Sequence, residues 1–317
     1  MLRSYTAIDG KLRPVDPDGG AIWFDLLNPT LEEERALETH LGIELPTRDE
    51  MREIETSSRL YSENGGTYMT ALVLSHSDGD DIVIDPISFI LTGKRLVTIR
   101  YSEPRVFAGF PARAEKTQLG LKDGQDVLMA LLEAVVDRLA DILERAGRDI
   151  DTISRSIFGI GTEASRKPPD YKAILTRIGR KGDLMSHIRD SIATLERLTA
   201  YVGPKLSGLD IECREQLGAL AADIHSLSDH LEFIAQKTTF LLDATLGLIN
   251  IEQNGIIKIF SVASVVFLPP TLVASIYGMN YKYMPELDWP YGYPFAIGLM
   301  VMSAVLPFLY FKRRGWL

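Results

Sequence analysis

The sequence predicts an α/β N-terminal domain, a long stalk helix and two C-terminal transmembrane helices. Three observations carry that reading. No Asp, Glu, Lys or Arg occurs from Ile259 to Tyr281, and none from Trp289 to Phe311; about 20 apolar residues suffice to cross a bilayer as a helix. Ahead of these runs, from Asp123 onward, apolar residues recur with helical spacing. Ahead of those again, residues 1–120 alternate in the manner of strands between Gly- and Asn-containing turns. With 317 residues, 46% of them hydrophobic and 24% charged, the chain is ordinary in overall composition. The information lies in where charge is missing.

Taken in order, "AIWFDL" reads as a short buried strand. "NPTLEEERALETHLG" offers Thr30 as a helix N-cap, Glu33 as its capping-box partner and Gly42 as the stop. "RLYSENGGTYMTALVL" places two alternating strands around an Asn64-Gly65-Gly66 turn, and "DIVIDPISFILTGKRLVTIRY" reads as a second hairpin turning near Gly93. Between these hairpins lie Asp78, Asp80, Asp81 and Asp85, which suit either a solvated loop or a divalent-ion site.

Residues 121–208 read as an antiparallel helical pair, interrupted at Gly159, Gly161 and Pro168-Pro169 and ended at Gly203-Pro204. The stalk, 209–255, carries Leu220, Ile224, Leu227, Leu231, Ile234, Thr238, Leu241, Thr245 and Leu248 in strict 4-3 alternation. That is the seam of a coiled coil and predicts self-association, which a polar residue at Leu231 or Leu241 should weaken. No Pro falls between Pro204 and Pro269, so one helix should run from the stalk into the first span, 256–277.

The same 4-3 spacing within the span selects Asn254, Ile257, Ser261, Ser264, Leu268, Thr271 and Ser275. A small, hydroxylated face has two readings: close helix packing with hydroxyls on backbone carbonyls, or a pore lining that replaces part of an ion's water shell. Two spans cannot enclose a pore, so the second reading requires a cyclic homo-oligomer.

A loop, 278–290, leads to the second span, 291–311, and a basic tail, 312–317. The start "MLRSYTAIDGKLRPVDPDGG" has no apolar signal-peptide core. Two spans then leave both termini on one side, and Lys312, Arg313 and Arg314 place that side in the cytoplasm. The single cysteine, Cys213, permits no intrachain disulfide, as suits a reducing compartment. A formal net charge of −9 argues against nucleic acid and is compatible with attracting cations. An enzyme is disfavoured: there is no Gly-rich phosphate loop, no HExxH and no Cys/His zinc spacing.

The ordered set "NGIIK", "YGMN", "MPELDW", "GYP" and "KRRGWL" over the last 65 or so residues resembles the CorA-type magnesium/cobalt transporters, whose signature is the Gly-Met-Asn triplet after the first of two C-terminal spans. Upstream, only the architecture is similar. The resemblance implies a homopentameric channel in a bacterial inner or plasma membrane. Its selectivity mouth would be Gly278, Met279 and Asn280, with Asn254 as the cytoplasmic polar ring. Ile257, Phe260 and Leu268 would form constrictions, Thr271 a polar ring, and Lys258 with Lys312, Arg313 and Arg314 a basic collar. Glu286 and Asp288 would either gather cations at the mouth or be plain loop charges.

It further implies closure by Mg2+ bound to carboxylates between neighbouring cytoplasmic domains. Here the register places Ala219 where the stalk carboxylate is expected; Asp223, one turn later, is the substitute, with Asp78, Asp80, Asp81 and Asp85 as further candidates. His225, Asp229 and His230 suit Zn2+ or Co2+ chemistry or a solvated helix flank. A zinc carrier of the same superfamily is the first alternative; that branch usually varies the middle residue of the triplet, and Met279 is unvaried here. A membrane-anchored sensor or scaffold without transport is the second.

Overall fold

The computed structural model describes all residues except 76–81, 118, 159–168, 206–210, 281, 283 and 317, and gives the backbone alone at 211, 212, 286 and 287. The chain divides into two compact units, Met1–Leu242 and Asp243–Leu317.

The first unit is built on seven strands: β1 (Leu2–Ile8), β2 (Lys11–Pro14), β3 (Trp23–Leu27), β4 (Leu60–Glu63), β5 (Gly66–Ser75), β6 (Val83–Thr92) and β7 (Arg95–Arg100). They form one sheet in the order β2-β1-β3-β7-β6-β5-β4, with β3 and β7 parallel and the other neighbours antiparallel. Asn64 and Gly65, both at positive φ, make the two-residue turn expected between β4 and β5, the geometry that Asn-Gly adopts at low cost. Gly93, also at positive φ, turns β6 into β7. α1 (Leu31–Leu41) starts on Thr30 with its reciprocal Glu33 and ends on a left-handed Gly42, as the sequence predicts. α2 (Arg48–Arg52) repeats the device with Thr47 and Glu50, and α3 (Thr56–Arg59) leads into β4.

The two-residue period of β3 divides its side chains between the sheet's faces. Phe24 and Leu26 join Leu37, Ile43, Met51, Tyr68, Ile90, Val97 and Ile99 in a buried cluster with α1 and α2. Trp23 faces the other way, edge-on to Phe110 of α4 (Arg105–Lys116) with ring centroids 5.7 Å apart. Beside it, Asp25 receives Arg100 Nε at 3.0 Å and Nη2 at 2.8 Å. Arg100 also donates Nη1 to the Ser102 carbonyl at 3.0 Å and lies 5.0 Å from the Phe107 ring. Both charges are buried, and a pair held this way tolerates the loss of neither partner.

α5 (Gly124–Phe158) and α6 (Tyr171–Lys205) follow. α6 runs through Gly203-Pro204 to Lys205 rather than stopping there; a proline in the last turn removes one hydrogen bond where few remain to lose. Of the breaks expected after α5, residues 159–168 lie outside the described residues. α6 also closes a sheet edge: beyond the short β4, Leu72 of β5 accepts from Ser191 Oγ at 2.6 Å and donates to Thr194 Oγ1 at 2.9 Å. Satisfying an open strand edge in this way removes a template for aggregation.

α7 is a single helix from Ile211 to Tyr277, with Pro269 and Pro270 inside it, as the absence of Pro between Pro204 and Pro269 predicts. Its seam, however, is not a free surface. Leu220, Ile224, Leu231, Ile234 and Leu241 are buried within the one chain. Ile234 approaches α5 so closely that a Cβ on Gly147 would stand 3.3 Å from its Cδ1. Lys237 pairs with Asp151, and Phe240 stacks on Phe158 at 6.4 Å. The expectation that this seam joins copies is therefore corrected: the 4-3 pattern packs α7 onto its own domain. The solvent-facing side of the helix carries Phe233 and Phe240, each about 60% exposed.

Candidate functional site

The second unit holds the last part of α7, a short 3-10 helix over Pro285–Asp288, and α8 (Gly292–Arg313). Both α7 and α8 contain stretches long and apolar enough to cross a membrane. Their apolar side chains are mostly exposed, which in water would be costly and in lipid is expected.

The exposure has a pattern. Along α7, Gly255, Val262, Val266, Pro269 and Val273 are buried or half-buried. These positions continue the heptad phase of the cytoplasmic seam, and Val262 is only 4% exposed. Asn254, Ile257, Phe260, Ser261, Ser264, Leu268, Thr271 and Ser275 are all exposed, Ile257 at 61% and Leu268 at 65%. At 100° per residue the selected stripe lies roughly 140° around the helix from the covered face. It shares the seam's 4-3 spacing but not its phase.

The hydroxyls are not idle. Ser264 Oγ donates to the Phe260 carbonyl at 2.9 Å and Thr271 Oγ1 to the Phe267 carbonyl at 2.7 Å. Each hydroxyl thus spends its proton on its own helix and turns its oxygen lone pairs outward, as an acceptor for water or a cation's shell. Pro269 and Pro270 have no N–H, so the carbonyls of Val265 and Val266 lose their α-helical donors. The exposed face therefore carries hydroxyl acceptor oxygens and no carboxylate.

α7 ends on the triplet. Gly278 N–H still reaches the Ala274 carbonyl at 2.9 Å, and Met279 N–H reaches Ile276 at 3.2 Å. Asn280 follows the helical bonding and is exposed. Gly278 is not among the positive-φ glycines, so a left-handed turn is not what restricts it. A Cβ there would meet the Ala274 carbonyl oxygen at 3.1 Å, a tight approach that the neighbouring turn must absorb. Asp288 is exposed at the end of the 3-10 helix; the Glu286 side chain lies outside the described residues. Trp289 packs on Tyr291 and Phe295, at 6.2 and 5.7 Å, where α8 begins.

At the other end, Lys258 and Lys312, Arg313 and Arg314 gather on the same unit. Lys258 Nζ lies 5.9 Å from the Trp316 ring centroid, and Arg314 lies 5.5 Å from that of Tyr310. Sequence reasoning did not single out Trp316; nothing in a lone aromatic near three cations marks its partner.

The regulatory candidates fall differently. Asp78, Asp80 and Asp81 lie outside the described residues, whereas Asp85 is half-buried in β6. Asp223 is exposed on α7 within electrostatic reach of Glu133 on α5. Burial first, then Asp137 and Asp223, push the Glu133 carboxyl above its ordinary pKa, against the pull of Arg113. His230 stacks on Phe233 at 6.5 Å. Among the described residues no three His, Cys, Asp or Glu side chains converge to hold a metal within one chain.

The family model described as "CorA-like Mg2+ transporter protein" matches residues 18–313. That span is nearly the whole chain. The chain belongs to the CorA family. Curated relatives agree end to end: a protein named magnesium transport protein CorA from Haemophilus influenzae is 35% identical over 321 residues, covering 100% of both chains. The protein of the same name from Escherichia coli is 36% identical over 324 residues, again covering 100% of each. Among solved structures, the complete CorA magnesium transporter from Methanocaldococcus jannaschii superposes with a TM-score of 0.77 at 18% identity, covering 100% of this chain and 98% of that one. The cytoplasmic domain of ZntB from Vibrio parahaemolyticus, 11% identical with a TM-score of 0.54, covers 78% of this chain and 97% of its own. At such identities the superpositions speak for the fold. The CorA-family architecture is thus an α/β unit, a long helix and two C-terminal apolar helices.

Proposed function

We propose that this CorA-family chain assembles as a homopentamer in the bacterial inner membrane, with its N-terminal unit in the cytoplasm, and conducts hydrated Mg2+ inward. The observation that carries the proposal is an intact Gly278-Met279-Asn280 at the end of a helix whose exposed face is lined with uncharged oxygen acceptors. End-to-end identity with proteins named for magnesium transport supports Mg2+ as the cargo.

The chemistry suits that ion. Mg2+ gives up water reluctantly and takes oxygen ligands in octahedral geometry. A ring of Asn280 amide oxygens can hold the ion through its water shell, and the hydroxyl oxygens of Ser261, Ser264, Thr271 and Ser275 can pass it on. Carboxylates in the same places would bind more tightly and release more slowly. Ile257, Phe260 and Leu268 narrow the path without binding the ion. An inward potential of about 100 mV is worth roughly 4.6 kcal/mol to a divalent ion, at about 2.3 kcal/mol per charge. The membrane potential alone can therefore drive uptake.

Asp85 and Asp223, with Asp78, Asp80 and Asp81, remain the proposed sensors of cytoplasmic Mg2+, acting between copies. Co2+ is a second cargo that the same oxygen face can admit, and Zn2+ a weaker one, since zinc favours nitrogen and sulfur ligands. The test is Mg2+ uptake in a transport-deficient cell. Wild type should restore uptake, and assembled Asn280→Ala should lose most of it. Undiminished flux in assembled Asn280→Ala would overturn the selectivity mouth; uptake of Zn2+ but not Mg2+ by wild type would reassign the cargo; no uptake of any cation would favour the sensor reading.

A further inference from the structure

The stretch "RRGW", Arg313 to Trp316, forms a complete helix stop. Gly315 takes a left-handed φ of 69°. Its N–H donates to the Lys312 carbonyl at 3.2 Å, and the Trp316 N–H donates to the Phe311 carbonyl at 3.1 Å. These two bonds define a Schellman motif, and the hydrophobic contact that accompanies it is present too: the Trp316 ring lies 5.2 Å from that of Phe311. The turn is needed because a continuing helix would carry Trp316 away from Phe311. Instead the indole is folded back beside α8 and comes under the ammonium of Lys258 on α7, 5.9 Å from its centroid.

Lys258 is the one Lys, Arg, Asp or Glu between Glu252 and Lys282. It follows Ile257 and stands one turn from both Asn254 and Ser261, at the border of the acceptor-rich face. A positive charge that swung onto that face would oppose every cation leaving the path. Trp has the strongest ring quadrupole among the side chains for holding an ammonium.

We propose that Trp316 is a positioning residue for Lys258: it holds the ammonium beside α8 and off the acceptor face, keeping the cytoplasmic end of the ion path clear. The proposal rests on the transport reading above. It also explains why the tail needs both Gly315 and an aromatic after it. Without Trp316, Lys258 retains its charge and loses its tether.

The experiment is a double-mutant cycle on the full chain, reading Mg2+ uptake normalised to assembled protein. Trp316→Leu keeps an apolar contact for Phe311 and removes the ring. It should lower uptake about two- to fivefold, the factor an exposed cation–π contact carries. In a Lys258→Met background the same change should have no further effect. An equal drop in both backgrounds would mean that Trp316 merely anchors the tail at the lipid interface, and would overturn the proposal; so would no drop in either. If Trp316→Leu fails to assemble, Trp316→Phe serves, with a smaller drop that again vanishes without Lys258. A second readout does not involve transport. With 5-fluorotryptophan incorporated, three 19F lines are expected for the chain's 3 tryptophans, and Lys258→Met should move the Trp316 line alone. An unmoved line contradicts the tether itself, whereas a moved line in a protein with no Mg2+ uptake contradicts only the transport reading.

Discussion

The two units of this chain treat the same helix in opposite ways. In the first, Leu220, Ile224, Leu231, Ile234 and Leu241 of α7 are buried against their own domain, while Phe233 and Phe240 on other faces remain exposed. In the second, one narrow face centred on Val262 is covered, and nearly everything else is exposed, Ile259, Phe260, Phe267 and Leu272 included. Water expels apolar surface and makes burial favourable by about 25 cal/mol per Å². Lipid supplies no such force between helices. The first unit is thus a domain that can hold itself together, whereas the second exposes apolar side chains that water penalises and lipid tolerates. In the second unit Val262, Val266, Pro269 and Val273 fall in the seam's phase, although Glu252 and Ile259 in that phase are exposed, and the stripe from Asn254 to Ser275 is exposed throughout.

The comparison breaks most visibly at paired leucines. Leu231→Ala empties a buried site and should cost roughly 2–5 kcal/mol of unfolding free energy. Leu268→Ala, on the exposed face, should change it by no more than about 0.5 kcal/mol while altering Mg2+ flux. Denaturant unfolding of both variants in detergent checks this. Equal destabilisation would erase the distinction between the units. The result also separates the present reading from the seam as an oligomer contact, because Leu231→Ala should unfold the first unit rather than disperse folded copies.

A smaller effect sharpens the electrostatics of the first unit. Burial, Asp137 and Asp223 raise the Glu133 pKa, so the folded state favours the protonated acid. For such a group the stabilising contribution is full below the unfolded pKa and is lost as pH rises through the folded value. Glu133 is exposed, so water screens much of this effect; Glu133→Gln, which imitates the protonated form, should raise the melting temperature only slightly, by about 1 °C at pH 7.5, and leave it unchanged near pH 4. A shift of the same size at both pH values would contradict the burial argument. Millimolar Mg2+, if it collects at Asp223, should narrow the pH 7.5 difference.

Much of the first unit is legible in the sequence because its punctuation is local. Thr30 with Glu33, Asn64-Gly65 and Gly93 each specify a cap or turn within four residues, and each is found as expected. What is not legible depends on partners far away in sequence. Asp25 and Arg100, 75 residues apart, form the buried pair, and no spacing announces it. Ser191 and Thr194 look like ordinary helix residues until Leu72 meets them. The seam of α7 is readable as apolar 4-3 spacing, but spacing does not say whether the facing helix belongs to the same chain. The exposure of the triplet and of the stripe follows a spacing that the sequence itself displays, whereas the contact of Lys258 with Trp316 joins residues that no spacing relates.

The central claim is that α7 gives one face to its own chain and the opposite face to the ion. Because Cys213 is the only cysteine, Cys213→Ser provides a clean background for single cysteines along the span. Ser261→Cys, Ser264→Cys and Ser275→Cys should each become sensitive to a small charged thiol reagent, with Mg2+ uptake blocked. Val262→Cys, Val266→Cys and Val273→Cys should react slowly or not at all. Block that follows the second set, or that ignores the period of the helix, would contradict the account.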